Sequence, residues 1–127
     1  MRVVLDTNIF VSAFFWNGNE RRVLKSCKKK KHQLITSPQI LDELSRVLLS
    51  KFDVPKDMVM DFQEELLLMS ELVVPAGGLK TILEDPSDNI VLETAELGKA
   101  DKIITGDRHL LRLKRYKDIQ IRQSANL

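Results

Sequence analysis

The chain has 127 residues, one cysteine and a formal net charge of +2. This length suits one domain with its own core, and 43% hydrophobic with 30% charged residues excludes wholesale disorder. The lone Cys27 excludes an internal disulfide and a cysteine-rich zinc site, and no apolar run approaches the roughly twenty residues of a membrane span. We therefore expect a cytoplasmic protein without membrane insertion, in which residues 1–127 form a single domain.

Short apolar runs alternate along the chain with longer helical patterns. Strands are predicted at residues 3–5, 34–36, 73–74, 103–105 and 119–121. Helices are predicted at residues 9–16, 20–29, 38–52, 56–72 and 89–98. Strands that alternate with helices require crossover connections, so the pattern predicts an α/β fold with a short, mostly parallel sheet covered by helices on both faces.

Two of the predicted strands run into an aspartate. The apolar stretch V-V-L is followed by Asp6, and the later stretch I-I-T-G is followed by Asp107. The carboxyl ends of parallel strands lie at one edge of a sheet and often face a crevice, so the two carboxylates can converge. On this pattern alone, Asp6 is either a helix N-cap or part of a site.

Two further acids belong to predicted helices. Glu43 lies at the border of the apolar stripe of its helix, whereas Asp42 points to the far side, so Glu43 is the candidate to face the strand ends. The alternative for Glu43 is an ordinary boundary residue with a solvated carboxylate. Farther along, Asp85 suits an N-cap before Pro86, and Asp88 in the first turn is equally compatible with a dipole partner or a site residue.

Four carboxylates at one sheet edge need a positive partner. Each close pair repels by about 4 kcal/mol at about 4 Å with an effective dielectric near 20, unless a cation binds or protonation shifts. The chain offers only His32 and His109 as nitrogen ligands, so an oxygen-rich site favours Mg²⁺ or Mn²⁺ over zinc. Such ions activate water for attack on phosphorus.

Four segments, in this order, resemble the PIN-domain family. They are V-L-D-T-N at 4–8, S-P-Q-I-L-D-E-L at 37–44, D-P-S-D-N-I-V-L-E-T-A at 85–95 and A-D-K-I-I-T-G-D-R-H-L-L at 100–111. More narrowly, the chain resembles the small single-domain PIN proteins assigned as toxins of bacterial and archaeal toxin–antitoxin pairs. The similarity spans residues 3–111, and the last segment is the most specific.

This resemblance implies a PIN-like fold and a metal-dependent endoribonuclease that hydrolyses RNA phosphodiester bonds with Mg²⁺ or Mn²⁺. The family's four acidic positions fall on Asp6, Glu43, Asp88 and Asp107. The resemblance implies that the three aspartates are the main metal ligands and that Glu43 is a further ligand or a water-orienting acid. Asn8 and Thr105 match positions that support the site through hydrogen bonds in relatives.

The resemblance also implies two protein partners, a cognate antitoxin and a second copy of the chain. An aromatic stretch near the amino terminus bears on this point, since it suits a core or an exposed self-association patch better than a base-stacking platform. The stretch comprises Phe10, Phe14, Phe15 and Trp16.

Two basic runs are compatible either with solvated surface or with contacts to a phosphate backbone. One occupies residues 28–32, and the other extends from residue 108 to residue 117. Beside an acidic site that accepts a polyanion, Arg108 is the first candidate for a phosphate contact because it follows Asp107 directly. Arg112 and Lys114 are the next candidates.

Two alternatives from other functional classes stay open. One is a binding module whose acidic pocket holds a structural metal. The other is an aspartate-based phosphoryl-transfer domain, such as a receiver domain or a haloacid-type phosphatase. The phosphatase pattern requires two aspartates that are two residues apart. Asp6 would be the first of them, but the position of the second is Asn8, which weighs against a phosphatase.

Overall fold

All four candidate acids are carried by a sheet of six strands in the order β3-β2-β1-β4-β6-β5 and by the helices that flank it. The computed structural model describes residues 1–77 and 83–127. The strands are β1 (Arg2–Leu5), β2 (Gln33–Thr36), β3 (Ser70–Leu72), β4 (Lys102–Ile104), β5 (Arg115–Tyr116) and β6 (Ile119–Arg122). The helices are α1 (Thr7–Phe15), α2 (Asn19–Lys28), α3 (Pro38–Ser50), α4 (Lys56–Met69), α5 (Pro86–Leu97) and α6 (Arg108–Leu113), followed by a 3-10 helix (Ser124–Asn126).

The central strands are covered on both faces. Successive residues of a strand point to opposite faces, and Val3, Val4 and Leu5 of β1 are all fully buried. All strand pairs are parallel except the β5–β6 hairpin, and α5 contacts β1, β2 and β4. The predicted α/β fold with a mostly parallel sheet flanked by helices is confirmed. Among the helices of the described residues, none has the length and apolar character that crossing a membrane requires.

The sequence patterns misplace one strand and miss three short elements, β5, α6 and the 3-10 helix. The third strand is Ser70–Leu72 rather than 73–74, and the preceding helix ends at Met69 rather than at 72. Pairing of Ser70 with Leu34 of β2 takes these residues out of the helix, although the local sequence continues the helical pattern. Periodicity does not predict β5 or α6, because a strand of two residues and a helix of six are too short to show it.

The order of the strands places a switch point, where open α/β sheets form a crevice, beside β1. Strands β2 and β3 lie on one side of β1, whereas β4, β6 and β5 lie on the other. In open α/β sheets, ligand sites form at such a switch point, outside the carboxyl ends of the strands. Asp6 directly follows β1, and Asp107 follows the neighbouring β4, so the topology brings both to this crevice.

The carboxyl-terminal end of α5 is held tightly against the sheet. A Cβ atom added at Gly98 would lie 2.4 Å from Cγ2 of the buried Ile35 in β2. The Gly98 carbonyl accepts hydrogen bonds from Arg2, at 3.0 Å from Nε and 2.7 Å from Nη2. These contacts fix the helix that carries Asp88 at its other end.

We expect Gly98→Ala to destabilise the fold by about 1–3 kcal/mol, because the packed core must shift to admit the methyl group. Equilibrium unfolding in urea measures the change. Gly106→Ala is the control, since no atom lies within 4 Å of a Cβ placed there. Combining Gly98→Ala with Ile35→Ala should cost less than the two single changes added together; strict additivity would contradict the contact.

Candidate active site

Asp6 is the N-cap of α1 and also the most buried of the four candidate acids. Its Oδ1 accepts a hydrogen bond from the Ile9 backbone N–H at 3.1 Å, and its Oδ2 accepts one from the Thr105 hydroxyl. The residue is 5% exposed. Burial raises the pKa of Asp6 to about 6, against the opposing hydrogen bonds from Thr105 and Ile9. Asp6 can therefore act both as a helix N-cap and as part of a site, the two roles that the sequence leaves open.

Thr105 connects the ends of β1 and β4. Its hydroxyl donates to Asp6 and accepts a hydrogen bond from the backbone N–H of Asp107 at 2.9 Å. Thr105 is fully buried, so solvent does not compete for these bonds. The Thr105 hydroxyl thus orients both the Asp6 carboxylate and the backbone of Asp107.

Asp107 is the N-cap of α6. Its Oδ1 accepts hydrogen bonds from the backbone N–H groups of His109 at 2.7 Å and Leu110 at 3.2 Å. Within the described residues no hydrogen bond reaches its Oδ2, which leaves that oxygen available to a ligand. The charge of Asp107 contributes to the raised pKa of both Asp6 and Asp88, so the three aspartates form one electrostatic cluster.

Asp88 lies in the first turn of α5 and is 8% exposed. Burial, followed by the charges of Asp107, Asp85 and Asp6, raises its pKa to about 6, and His109 opposes the shift. Its Oδ2 is buried and accepts no hydrogen bond from the described residues. A buried carboxylate oxygen without a donor is costly, and a cation is the ligand that suits it chemically.

Glu43 joins the site from α3 through a contact with α1. Its Oε2 accepts a hydrogen bond from the hydroxyl of Thr7 at 3.1 Å, and Thr7 is the buried neighbour of Asp6. Glu43 is half-buried, whereas the adjacent Asp42 is exposed, as the helical pattern predicts. Glu43 is therefore linked to the aspartate cluster by Thr7.

The remaining predicted residues lie at the rim. Asn8 is exposed, and its backbone N–H is one of the groups that oppose the raised pKa of Asp6. Arg108, Arg112 and Lys114 are also exposed and follow Asp107 along α6 and its C-cap. Arg108 and Arg112 share one face of α6 because they are four positions apart. We call these three positive residues of α6 and its C-cap the positive strip.

Sequence reasoning missed three polar residues that hold the helices of this region together. Thr7 orients Glu43, and the D-T-N triplet was the available signal for it. Ser37 and Thr94 are fully buried with their hydroxyls 3.0 Å apart, which joins the N-cap of α3 to α5. Ser37 shows only a capping signal in the sequence, and nothing distinguishes Thr94 from any other helical threonine.

The donor set fits a hard divalent cation in its chemistry. The convergent groups are carboxylates, and Asp88 offers a buried oxygen that lacks any donor. In residues 1–77 and 83–127, no group of three or more histidine, cysteine, aspartate or glutamate side chains is placed to hold a metal ion by itself. Mg²⁺ suits an incomplete set, because it binds through one or two carboxylates and keeps waters or substrate phosphates as its other ligands.

The metal-free protein should lose stability as the pH rises from about 4 to about 7. The pKa of Asp88 increases from 3.8 to about 6 on folding, so the folded state holds more protons in this window. Asp88→Asn should therefore raise the free energy of unfolding by about 1–3 kcal/mol at neutral pH, and change it little near pH 4.

Urea unfolding in EDTA at both pH values measures this effect. Asp85→Asn is the control for removal of a neighbouring charge, because asparagine preserves the N-cap of α5. Its effect at neutral pH should be smaller than that of Asp88→Asn, because the Asp85 charge is only one contributor to the raised pKa of Asp88. A stabilisation by Asp88→Asn that is equal at both pH values would show that ionisation is not its cause.

Comparison with known proteins identifies the family. A family model of the PIN domain matches residues 2–109. A search of curated proteins found no match. The crystal structure of VapBC2 from Rickettsia felis, bound to a DNA fragment from their promoter, contains a similar chain, with a TM-score of 0.67, 18% sequence identity, and coverage of 95% of this chain and 97% of that chain. At this identity the likeness concerns the fold. The chain belongs to the PIN-domain family, whose members are generally nucleases.

Proposed function

We propose that this PIN domain is a metal-dependent endoribonuclease and that residues 1–127 work as one nuclease domain. The main support is the orphaned carboxylate oxygen of Asp88 in an electrostatic cluster with Asp6 and Asp107. These three aspartates would hold Mg²⁺ or Mn²⁺, with Glu43 as a further ligand or a water-orienting acid. When bound, such an ion activates water and stabilises the charge that develops on the phosphate.

The surrounding helices favour both the acids and an anionic substrate. Helix α1 begins directly after β1 and helix α3 almost directly after β2, so both amino termini lie at the edge that carries Asp6. The positive end of a helix dipole stabilises nearby carboxylates and phosphates. The N-cap bonds of Asp6 and Asp107 also fix these side chains before substrate binds.

The positive strip on α6 supports RNA as the substrate. Arg108, Arg112 and Lys114 would contact phosphates beside the cleaved bond, which gives RNA binding a marked dependence on salt. Water would act as the nucleophile, so the ribose 2′-hydroxyl would serve in recognition.

The phosphoryl-transfer alternative is less well supported than hydrolysis. The haloacid-type phosphatase pattern requires a second aspartate two residues after Asp6, where this chain has Asn8. The receiver pattern requires adjacent acids after the first strand, whereas Asp6 is followed by Thr7. The binding-module alternative differs from the nuclease in one respect, since it predicts metal binding without cleavage.

The test is RNA cleavage by the purified chain in Mg²⁺, in Mn²⁺ and in EDTA. We expect metal-dependent cleavage that Asp6→Asn or Asp88→Asn lowers by at least about 100-fold, because loss of even a hydrogen-bond partner of a metal ligand costs about 10- to 100-fold. Asp85→Asn should retain activity, since Asp85 caps α5. Metal binding by calorimetry without cleavage of any RNA would favour the binding module.

We also propose a cognate antitoxin as a partner. A groove of about 400 Å³ between α1, α2 and α4 has an apolar floor that includes Phe14, Leu24 and Phe62. Its rim carries both signs of charge, from Arg21, Lys25, Asp61 and Glu65. Such a groove fits an amphipathic segment of a partner protein.

A second copy of the chain is the other proposed partner. Phe15, Trp16 and Phe52 form an exposed aromatic cluster, 36%, 68% and 46% exposed, with the Phe15 and Phe52 ring centroids 5.1 Å apart. An exposed aromatic cluster of this kind is typical of a protein interface.

Sedimentation should therefore show a dimer of the wild-type chain that Trp16→Ser combined with Phe52→Ser shifts to monomer. The melting temperature of the wild-type chain should rise with protein concentration, whereas that of the variant should not. Leu68→Ser is the control, because Leu68 is 83% exposed on α4. A monomeric wild-type chain at all accessible concentrations would contradict the dimer.

A further inference from the structure

We propose that the edge of the sheet opposite the aspartate cluster is a second RNA-binding surface, so that the preferred substrate is an RNA long enough to contact both edges. The identity of the nucleic acid rests on the proposed nuclease function. We call this surface the lysine edge. It comprises Lys29, Lys30, Lys31, Lys99 and Lys102.

Strand direction places these lysines together. Strands β1, β2 and β4 are parallel and begin at Arg2, Gln33 and Lys102. The loops that enter β2 and β4 therefore lie at the amino edge of the sheet, whereas Asp6 and Asp107 lie at the carboxyl edge. The run at residues 28–32 thus belongs to the edge away from the acids. The second run starts at the acidic edge with Arg108 and returns along the antiparallel β5 to the amino edge at Lys117.

Positive charges lie close together at this edge. The pKa of His32 is lowered by burial and then by the charges of the amino terminus, Lys102 and Lys31. The nearby Asp101 accepts a hydrogen bond from the backbone N–H of Arg2 at 2.8 Å. Within the described ranges, none of the five lysines of the lysine edge takes part in an ion pair.

Two of these lysines adopt the left-handed backbone conformation. Lys30 has φ 61° and Lys99 has φ 52°, each just after the C-cap of a helix. The backbone N–H of Lys30 donates a hydrogen bond to the Cys27 carbonyl at 3.0 Å. This bond is typical of helix ends in which the residue after the C-cap is left-handed, and that residue is usually glycine. Lysine is strained there relative to glycine, and Lys25 and Lys28 already supply positive charge to the last turn of α2. Because lysine is strained at this position and the helix dipole already has positive partners, we infer that the charge of Lys30 serves binding rather than folding.

The chemistry of the lysine edge suits a phosphate backbone better than a protein. Protein interfaces depend on desolvated aromatic or apolar anchors, and the exposed aromatic cluster of Phe15, Trp16 and Phe52 belongs to other elements. On one side of the run, Lys30 lines a groove together with Asp61, Glu64 and Glu65 of α4, and these acids repel a polyanion inside that groove. The favourable path for RNA therefore leads over the loops that precede β2 and β4.

The position of this surface defines the substrate class. A four-residue strand spans about 13 Å, and the loops at its two ends add to the separation of the edges. A short oligonucleotide reaches only the aspartate cluster, whereas a long or folded RNA reaches both edges. Contacts at the lysine edge would then lower KM for long RNA without changing kcat.

The test compares two matched double variants. Lys30→Gly combined with Lys31→Gln removes two charges from the lysine edge, and the glycine relieves strain, so the fold should melt at a higher temperature. Lys51→Gln combined with Lys56→Gln removes two exposed lysines, one directly after α3 and the other at the start of α4. Binding of labelled RNAs of about 6 and about 40 nucleotides is measured in an Asp6→Asn background with EDTA, over a range of salt.

We expect the lysine-edge variant to bind the long RNA about tenfold more weakly at moderate salt, with the slope of log affinity against log salt reduced by about 2. Binding of the short RNA should not change, and the control variant should match the parent with both RNAs. Equal losses in the two variants, or an unchanged salt slope, would overturn the proposal. Binding of polyglutamate in preference to long RNA would overturn it too and would indicate an acidic protein partner.

The result is separable from the nuclease proposal. If the wild-type chain cleaves no RNA but the lysine-edge variant still loses binding of long RNA, the second surface stands and the nuclease fails. If short RNA is cleaved and the kinetics of long RNA are identical in both variants, the lysine edge fails alone. An increase of about tenfold in KM for long RNA, with kcat unchanged, supports both.

Discussion

The parallel pairing of β1 with β4 is the constraint on which the site depends. In this register Leu5 is paired with Ile104. The next residue, Asp6, donates its backbone N–H to the Ile104 carbonyl at 3.2 Å, so the two strand ends lie side by side. Only with this register can the Thr105 hydroxyl reach Asp6 while it accepts from the Asp107 N–H. A slip of one residue would turn the Thr105 side chain to the other face of the sheet and separate these carboxylates.

The fold tolerates Asp107 in the acidic cluster because one of its carboxylate oxygens caps a helix while the other is left for a ligand. Asp107 caps α6 with Oδ1, whereas its Oδ2 accepts no hydrogen bond from the described residues. Asp88 is close to the amino terminus of α5, where the helix dipole lowers the cost of its charge, yet burial still raises its pKa to about 6. The cluster thus combines local stabilisation of each backbone turn with a net electrostatic cost that a bound cation would offset.

The sequence predicts the parts of this arrangement that follow from local rules. An apolar strand that ends in aspartate is visible for Asp6 and Asp107, and helical periodicity distinguishes Glu43 from Asp42. What depends on tertiary pairing is not visible. Ser70 joins β3 because β2 is beside it, and Thr94 meets Ser37 because α5 and α3 are neighbours. In both cases a contact between distant segments decides the outcome, and no periodicity encodes it.

Strand direction also resolves what charge patterns leave open. Residues 28–32 and the run that starts at Arg108 look alike in the sequence, where each fits a solvated face or a phosphate contact equally well. In the fold, the first run precedes β2, whereas Arg108 at the start of the second run follows β4, which places these residues at opposite edges of the parallel sheet. A net charge of +2 therefore conceals a polarised molecule, with an acidic cluster bordered by Arg108 at one edge and lysines at the other. Long-range attraction of a polyanion depends on this distribution of charge, and the net charge alone does not report it.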